Sequence, residues 1–210
     1  MRKYILLFCT FISIHTFAQI TIGFKEFCCD NTTEWGNDEI YFLISAKFSN
    51  GNELNKIVPD GYGNIYMNDD KGDHICIGSK ELVSFLLEDE DSVIFVVTIM
   101  EQDGNNAKPY LKNQAFLSNL LLPQIEFSKS DAAISSKLIS LFPPKKKDVD
   151  DWIGTLEISI NKNKGIINSE WHIVNKRNKD NLVLNLDENN SYFINFDHQR
   201  PRYKGWFYVK

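Results

Sequence analysis

The stretch Ser92-Val93-Ile94-Phe95-Val96-Val97-Thr98-Ile99-Met100 is the strongest structural signal in the 210-residue sequence. Residues 93–99 are almost all apolar, and most of them are β-branched. Such residues favour the pleated geometry of a strand, and the run is too short for a core helix. We therefore predict a central β-strand over Val93–Ile99.

Alternating apolar residues predict further strands on both sides of this run. Within Glu39–Phe48 a period of two places four apolar residues on one face, namely Ile40, Phe42, Ile44 and Ala46. The same kind of signal gives the strands Ile20–Phe27, Ile75–Ile77, Glu81–Leu87, Leu182–Leu186, Ser191–Phe196 and Trp206–Val209. The Gly-, Asn- and Asp-rich stretch 55–74 is expected to form irregular loops or short edge strands.

Two hairpins are predicted from turn signals. Glu81–Leu87 and Ser92–Met100 flank an acidic turn at 88–91, which is typical of a hairpin. Trp152–Ile160 and Ile166–Val174 flank a polar turn in which Gly165 can supply a positive φ.

Helical spacing occurs in one region only. Leu111–Leu122 and a second run that begins at Asp131 carry apolar stripes, and Pro143-Pro144 stops the second run. We predict a two-helix insertion around residues 111–142 in an otherwise β chain. Eight or more short, turn-bounded strands indicate a sandwich or barrel in a single domain, rather than a βαβ fold.

The N-terminus has the pattern of a secretory signal peptide. Arg2 and Lys3 precede a short apolar run, and Ala18 offers a small residue at its exit. The run is too short and interrupted for a membrane span, and no other stretch is apolar enough for one. We predict that residues 1–18 are removed, leaving a periplasmic or extracellular domain over 19–210.

The net charge of the chain limits the kinds of molecule that it is expected to bind. The chain has 23 basic and 28 acidic residues, and two of the basic ones lie in the signal peptide, so the mature net charge is −7. Nucleic acid is excluded as an expected partner, because phosphate-backbone binding requires clustered surplus Lys and Arg.

Because the chain is predicted to be exported, its cysteines are expected to form a disulfide. After removal of Cys9, the mature chain retains Cys28, Cys29 and Cys76. Adjacent cysteines rarely bond to each other, so either Cys28 or Cys29 is expected to pair with Cys76. The remaining thiol is free or intermolecular, and a zinc site is the alternative interpretation.

Acidic turns supply the candidate functional residues. The turns contain Asn37-Asp38-Glu39, Glu101-Gln102-Asp103-Gly104-Asn105 and Asp148-Val149-Asp150-Asp151. Hard divalent cations bind several oxygen ligands, and loops at one end of a sandwich can bring carboxylates together. The metal-site hypothesis therefore names Asp38, Asp103, Asp150 and Asp151 as calcium ligands, whereas the alternative is that these residues form caps and solvated turns.

The order of these turns resembles C2 domains. Asp38 precedes the aromatic-bearing strand at Tyr41, Asp103 follows the apolar strand, and Asp150-Asp151-Trp152-Ile153-Gly154 opens the next one. The resemblance covers roughly residues 38–160 and implies an antiparallel β-sandwich that binds calcium through its loops. The chain differs from a C2 domain in its helical stretch and in the single Asp of the second turn.

Catalytic motifs give little support for an enzyme. The mature chain retains His74, His172 and His198, and none of them stands in a metal-ligand motif. We expect a binding module, calcium-assisted, for a protein or cell-envelope component. The alternatives are a metal-free inhibitor or immunity-type protein that recognises a basic partner and, third, a small secreted hydrolase.

Overall fold

In a computed structural model, the part of the chain that the structure describes forms eleven strands. The structure describes residues 18–30, 37–59, 65–68, 75–88, 91–102, 151–174, 185–186, 191–196 and 202–210, and this part contains no helix. The strands are β1 (Ala18–Asp30), β2 (Asn37–Phe48), β3 (Glu53–Val58), β4 (Ile65–Asn68), β5 (Ile75–Leu87), β6 (Ser92–Glu101), β7 (Asp151–Asn163), β8 (Ile166–Val174), β9 (Asn185–Leu186), β10 (Ser191–Phe196) and β11 (Arg202–Val209). The predicted signal peptide, apart from Ala18, and the predicted helices at 111–142 lie outside the described residues.

The strands form two antiparallel sheets that pack in a sandwich-like arrangement. The five-stranded sheet has the order β5-β1-β11-β10-β9, and the six-stranded sheet has the order β3-β2-β6-β7-β8, with β4 also paired to β2. The prediction of a mainly β, antiparallel architecture is thereby confirmed.

The apolar run over residues 93–99 lies in the middle of its sheet. β6 pairs with β2 on one side and with β7 on the other, so the prediction of a central strand is confirmed. The alternation predicted for β2 is also correct, because Ile40, Phe42, Ile44 and Ala46 all belong to the core between the sheets.

Aromatic rings join the two sheets. Phe27 of β1 lies 5.8 Å from Phe42 of β2 between ring centroids, and Phe85 of β5 lies 4.7 Å from Phe95 of β6. At the other side of the sandwich Trp171 of β8 packs on Tyr192 of β10 at 4.6 Å. Large buried rings contribute much of the apolar area that drives the sheets together.

One hairpin prediction is wrong. β5 and β6 are consecutive in sequence, but β5 pairs with β1 in the five-stranded sheet, whereas β6 lies in the other sheet. The turn at 88–91 therefore connects the two sheets. Residues 75–87 also form one continuous strand rather than two, because β5 pairs along its length with β1.

The second hairpin is confirmed. β7 and β8 are paired, and the two residues between them, Lys164 and Gly165, have φ values of 50° and 77°. Positive φ at both central positions is the requirement of the tight turn whose twist matches that of the flanking strands.

Replacing Gly165 by alanine tests this turn. An L-residue in the left-handed region is strained, so we expect Gly165→Ala to lower the free energy of unfolding by about 1 kcal/mol. Gly78→Ala is the matched control, since it lies in β5 with no heavy atom within 4 Å of an added Cβ and without a positive φ. Urea denaturation of both variants measures the difference, and equal stability would contradict the turn geometry.

Candidate functional site

Acidic residues of the three strands β2, β6 and β7 lie at one end of the six-stranded sheet. The antiparallel register pairs Ile40 near the start of β2 with Glu101 at the end of β6, and pairs Glu101 with Asp151 at the start of β7. Adjacent strands are about 4.8 Å apart, so the backbones of these three positions span about 10 Å. We call this end of the sheet, defined by Asp38, Glu101 and Asp151, the acidic end.

A backbone hydrogen bond extends the pairing of β2 and β6 beyond Glu101. The amide of Gln102 donates to the carbonyl oxygen of Glu39 at 2.9 Å. The chain therefore leaves β6 beside the residue that follows Asp38. Asp103, the next residue, lies outside the described part of the chain.

Glu101 is the one residue of the acidic end whose side-chain burial is described. It is 5% exposed and shares a face with its register partner Ile40, which belongs to the core. Burial of a carboxylate requires polar or charged partners, which makes this position chemically distinct from a solvated turn. Sequence reasoning placed Glu101 in an acidic turn but did not name it as a candidate ligand.

The four predicted calcium ligands are placed unequally. The structure positions the backbones of Asp38 and Asp151 at the acidic end, where Asp38 pairs with Met67 of β4. Asp103 and Asp150 lie outside the described residues, although each is within two positions of a residue at the acidic end. The ladder thus brings the backbones of Glu101 and Asp151 and the start of β2 to one end of the sheet.

A second group of metal-binding residue types lies on the five-stranded sheet. Glu26, Cys28 and Cys76 each offer a ligand atom, and these atoms lie within 4.8 Å of one another. The two sulfurs are bonded to each other, which confirms the prediction of one bridge to Cys76 and identifies Cys28 as its partner. Cys29 lies outside this bridge and is buried in the core.

The period of the strand explains which cysteine forms the bridge. Cys28 and Cys76 are direct register partners on β1 and β5, whereas Cys29 points to the opposite face of β1. Glu26, two residues before Cys28, lies on the same face as the bridge. Sequence reasoning missed Glu26, and the signal available was only its spacing from Cys28.

Comparison of the chain with protein-family models, with curated proteins and with solved structures finds no match. The likeness to C2 domains accordingly rests on the sequence motifs quoted above. No helix within the described residues has the length and apolarity needed to cross a membrane.

Proposed function

We propose that the protein is an exported β-sandwich binding module of C2-like type, which binds calcium at its acidic end and thereby engages a protein or cell-envelope component. The observation that supports this function best is the register of β2, β6 and β7. The acidic segments near residues 38, 101 and 151 are far apart in sequence, and this register brings them to the same end of one sheet.

The chemistry of the acidic end suits calcium. Calcium takes six to eight oxygen ligands at about 2.3–2.6 Å and tolerates flexible geometry. Asp38, Asp103, Asp150 and Asp151 offer carboxylates from three consecutive acidic segments, and Glu101 adds a buried carboxylate beside them. A divalent cation would relieve the mutual repulsion of these charges, which is the reason such a site would be occupied.

Export is supported by the bridge as well as by the N-terminal pattern. Disulfides persist in oxidising compartments such as the periplasm and the extracellular space. Because β1 begins at Ala18, removal of residues 1–18 would leave the strand intact from Gln19 onwards. A periplasmic or extracellular location remains part of the proposal.

One face of the six-stranded sheet points away from the five-stranded sheet, and we call it the outer face. Its burial supports the helical insertion. On this face, side chains of β2, β6 and β7 are buried but do not belong to the core between the sheets; they are Tyr41, Leu43, Ser45, Ile94, Val96, Thr98, Met100, Thr155 and Glu157. Thr98 and Thr155 share a hydrogen bond of 3.0 Å there, fully buried. The described strands form two layers, and none of them supplies a third layer over this face.

We assign that third layer to the two helices predicted over 111–142. The segment 103–150 connects β6 to β7, which are ladder neighbours, so it contains far more residues than the connection requires. Its predicted helices carry apolar stripes that include Phe116, Leu120 and Leu138. An apolar helix face over an apolar sheet face is the usual way in which both are removed from water.

A tryptophan reporter tests the assignment of the third layer. In a chain whose four natural tryptophans are replaced by phenylalanine, Tyr41→Trp places the reporter on the outer face, and its emission is expected to be blue-shifted in the full-length protein. Replacing residues 106–147 with a short Gly-Ser linker should shift that emission to the red and create binding sites for the dye ANS. Phe95→Trp, within the core between the sheets, is the control and should keep its emission. Unchanged Tyr41→Trp emission after the replacement would refute the assignment.

Calcium is expected to raise the melting temperature of residues 19–210. A ligand that binds only the folded state stabilises it by about 2.7 kcal/mol at 100 times its dissociation constant. For a domain of this size that corresponds to a rise of about 5–10 °C. Thermal melts with calcium and with a chelator measure the shift. Identical melting temperatures at millimolar calcium would exclude the metal site and favour the metal-free, inhibitor-type alternative.

A further inference from the structure

We propose that the Cys28–Cys76 bridge is a redox-controlled zinc site. When the bridge is reduced, the two thiolates and the carboxylate of Glu26 become three protein ligands for Zn²⁺, and water completes the tetrahedron. The inference is independent of the calcium site, because it concerns the other sheet. Its starting observation is the distance of at most 4.8 Å among the three ligand atoms.

The ligand types and their spacing suit zinc. Zinc binds Cys sulfur at about 2.3 Å and carboxylate oxygen at about 2.0–2.2 Å in a tetrahedral arrangement. Two sulfurs that share a tetrahedral zinc ion are about 3.8 Å apart, so the sulfurs must separate from their bonded distance. This requires side-chain rotation on two neighbouring strands rather than movement of distant parts of the chain.

The backbone holds the ligands in place without the bridge. β1 and β5 are paired from Ala18 and Leu87 at one end to Cys29 and Ile75 at the other. β1 is also paired with β11 on its other side. Because β1 is paired with a strand on each side at Cys28, we expect Cys28 and Cys76 to stay opposite each other when the bridge is reduced.

The redox step balances with a dithiol as the reductant. The disulfide accepts two electrons and two protons, and the dithiol becomes a disulfide in turn. Zinc then displaces the two thiol protons as the sulfurs bind as thiolates. Reoxidation of the pair by a disulfide releases the ion.

The surroundings of the bridge contain an ion pair and allow access from solvent. Lys204 of β11 is the register partner of Cys28, and its ammonium group lies 2.7 Å from a carboxylate oxygen of Asp30. This ion pair is neutral as a whole, so the zinc ion itself supplies the positive charge that stabilises the thiolates. Glu26 is exposed, Cys76 is half-buried and Cys28 is buried, so a reductant and an ion reach the group from the side of Glu26 and Cys76.

Cys29 does not compete for the ion. The Cys29 side chain belongs to the core between the sheets. Glu26, Cys28 and Cys76 lie on the opposite face of the five-stranded sheet, which points away from that core. The adjacent cysteines therefore have separate roles, and the variant Cys29→Ser provides a control that keeps the ligands.

Cobalt and zinc titration of the full mature chain tests the proposal. After anaerobic reduction, Co²⁺ is expected to give a thiolate-to-cobalt charge-transfer band at one ion per chain, and Zn²⁺ is expected to displace it. The oxidised chain should give no band. Glu26→Gln is expected to weaken zinc binding about tenfold or more, and Cys76→Ser should abolish the band. Glu81→Gln, an exposed carboxylate on β5, and Cys29→Ser should leave both unchanged.

Three results would overturn the proposal. The first is a reduced chain that binds no zinc at micromolar concentration, and the second is a band that survives Cys76→Ser or disappears in Cys29→Ser. The third is loss of the β-sheet circular dichroism spectrum on reduction, because the site requires the intact β1–β5 ladder. Retention of that spectrum with stoichiometric, Glu26-dependent binding would support it.

Discussion

Replacing Phe27 by alanine is expected to lower the free energy of unfolding by about 3–5 kcal/mol. The Phe27 ring is completely buried and lies within 6.5 Å, between ring centroids, of five other aromatic rings; they belong to Phe24, Phe42, Phe196, Tyr203 and Phe207. The partners come from both sheets, so loss of the ring leaves a cavity at the point where the sheets meet.

Chemical denaturation with urea or guanidinium measures the effect of Phe27→Ala. Leu86→Ala is the control, because Leu86 lies on the edge strand β5 and is 61% exposed. Surface changes of this kind usually alter stability by no more than about 0.5 kcal/mol. A Phe27→Ala variant as stable as the Leu86→Ala variant would show that the aromatic cluster does not form the core.

Removing the bridge with Cys28→Ala and Cys76→Ala together is expected to cost about 4 kcal/mol. The bridge joins residues 48 positions apart, and the loop-entropy model gives this magnitude for a loop of that length. The reason is that the unfolded chain gains freedom when the cross-link is absent. Equilibrium denaturation under non-reducing conditions measures the loss.

Cys29→Ala is the matched control for the bridge. Cys29 is buried but lies outside the bridge, so its truncation removes one sulfur from the core and should cost about 1 kcal/mol. Peptide mapping should find Cys28 linked to Cys76 in this variant. A bridge between Cys29 and Cys76 in the natural chain, or a larger loss in Cys29→Ala than in the double variant, would contradict the register of β1 and β5.

Local patterns in the sequence were sufficient for most of the strands and insufficient for some strand boundaries and for the pairing partners. The β-branched run at 93–99 predicted β6, and the alternation of 39–48 predicted which face of β2 is buried. The turn at Gly165 predicted its hairpin because the information is contained in two adjacent residues. These features depend on interactions within a few positions of the chain.

The false hairpin of β5 and β6 shows where local information ends. An acidic turn between two apolar strands is compatible both with a hairpin and with a connection between sheets. The choice depends on β1, which pairs with β5 although more than 40 residues separate Cys28 from Cys76. The burial of Tyr41 and Val96 on the outer face of their sheet is likewise decided by what covers the sheet, which alternation within a strand does not reveal.

The same contrast between local patterns and the pairing of distant strands applies to the candidate sites. The acidic segments could be recognised in the sequence, because Asp and Asn in turns are visible there, but their arrangement at one end depends on the order β2-β6-β7. The group of Glu26, Cys28 and Cys76 was missed because it requires the register of two strands that are distant in sequence.

Calorimetric titration of calcium into residues 19–210 tests the central claim most directly. We predict saturable binding with a dissociation constant at or below about 1 mM, as in extracellular calcium modules. Asp38→Asn and Asp151→Asn should each weaken it about tenfold or more, because each removes a charged ligand. Glu53→Gln should leave it unchanged, since Glu53 pairs with Lys47 at the opposite end of β2. Absence of binding at millimolar calcium, or equal affinity in all four proteins, would contradict the claim.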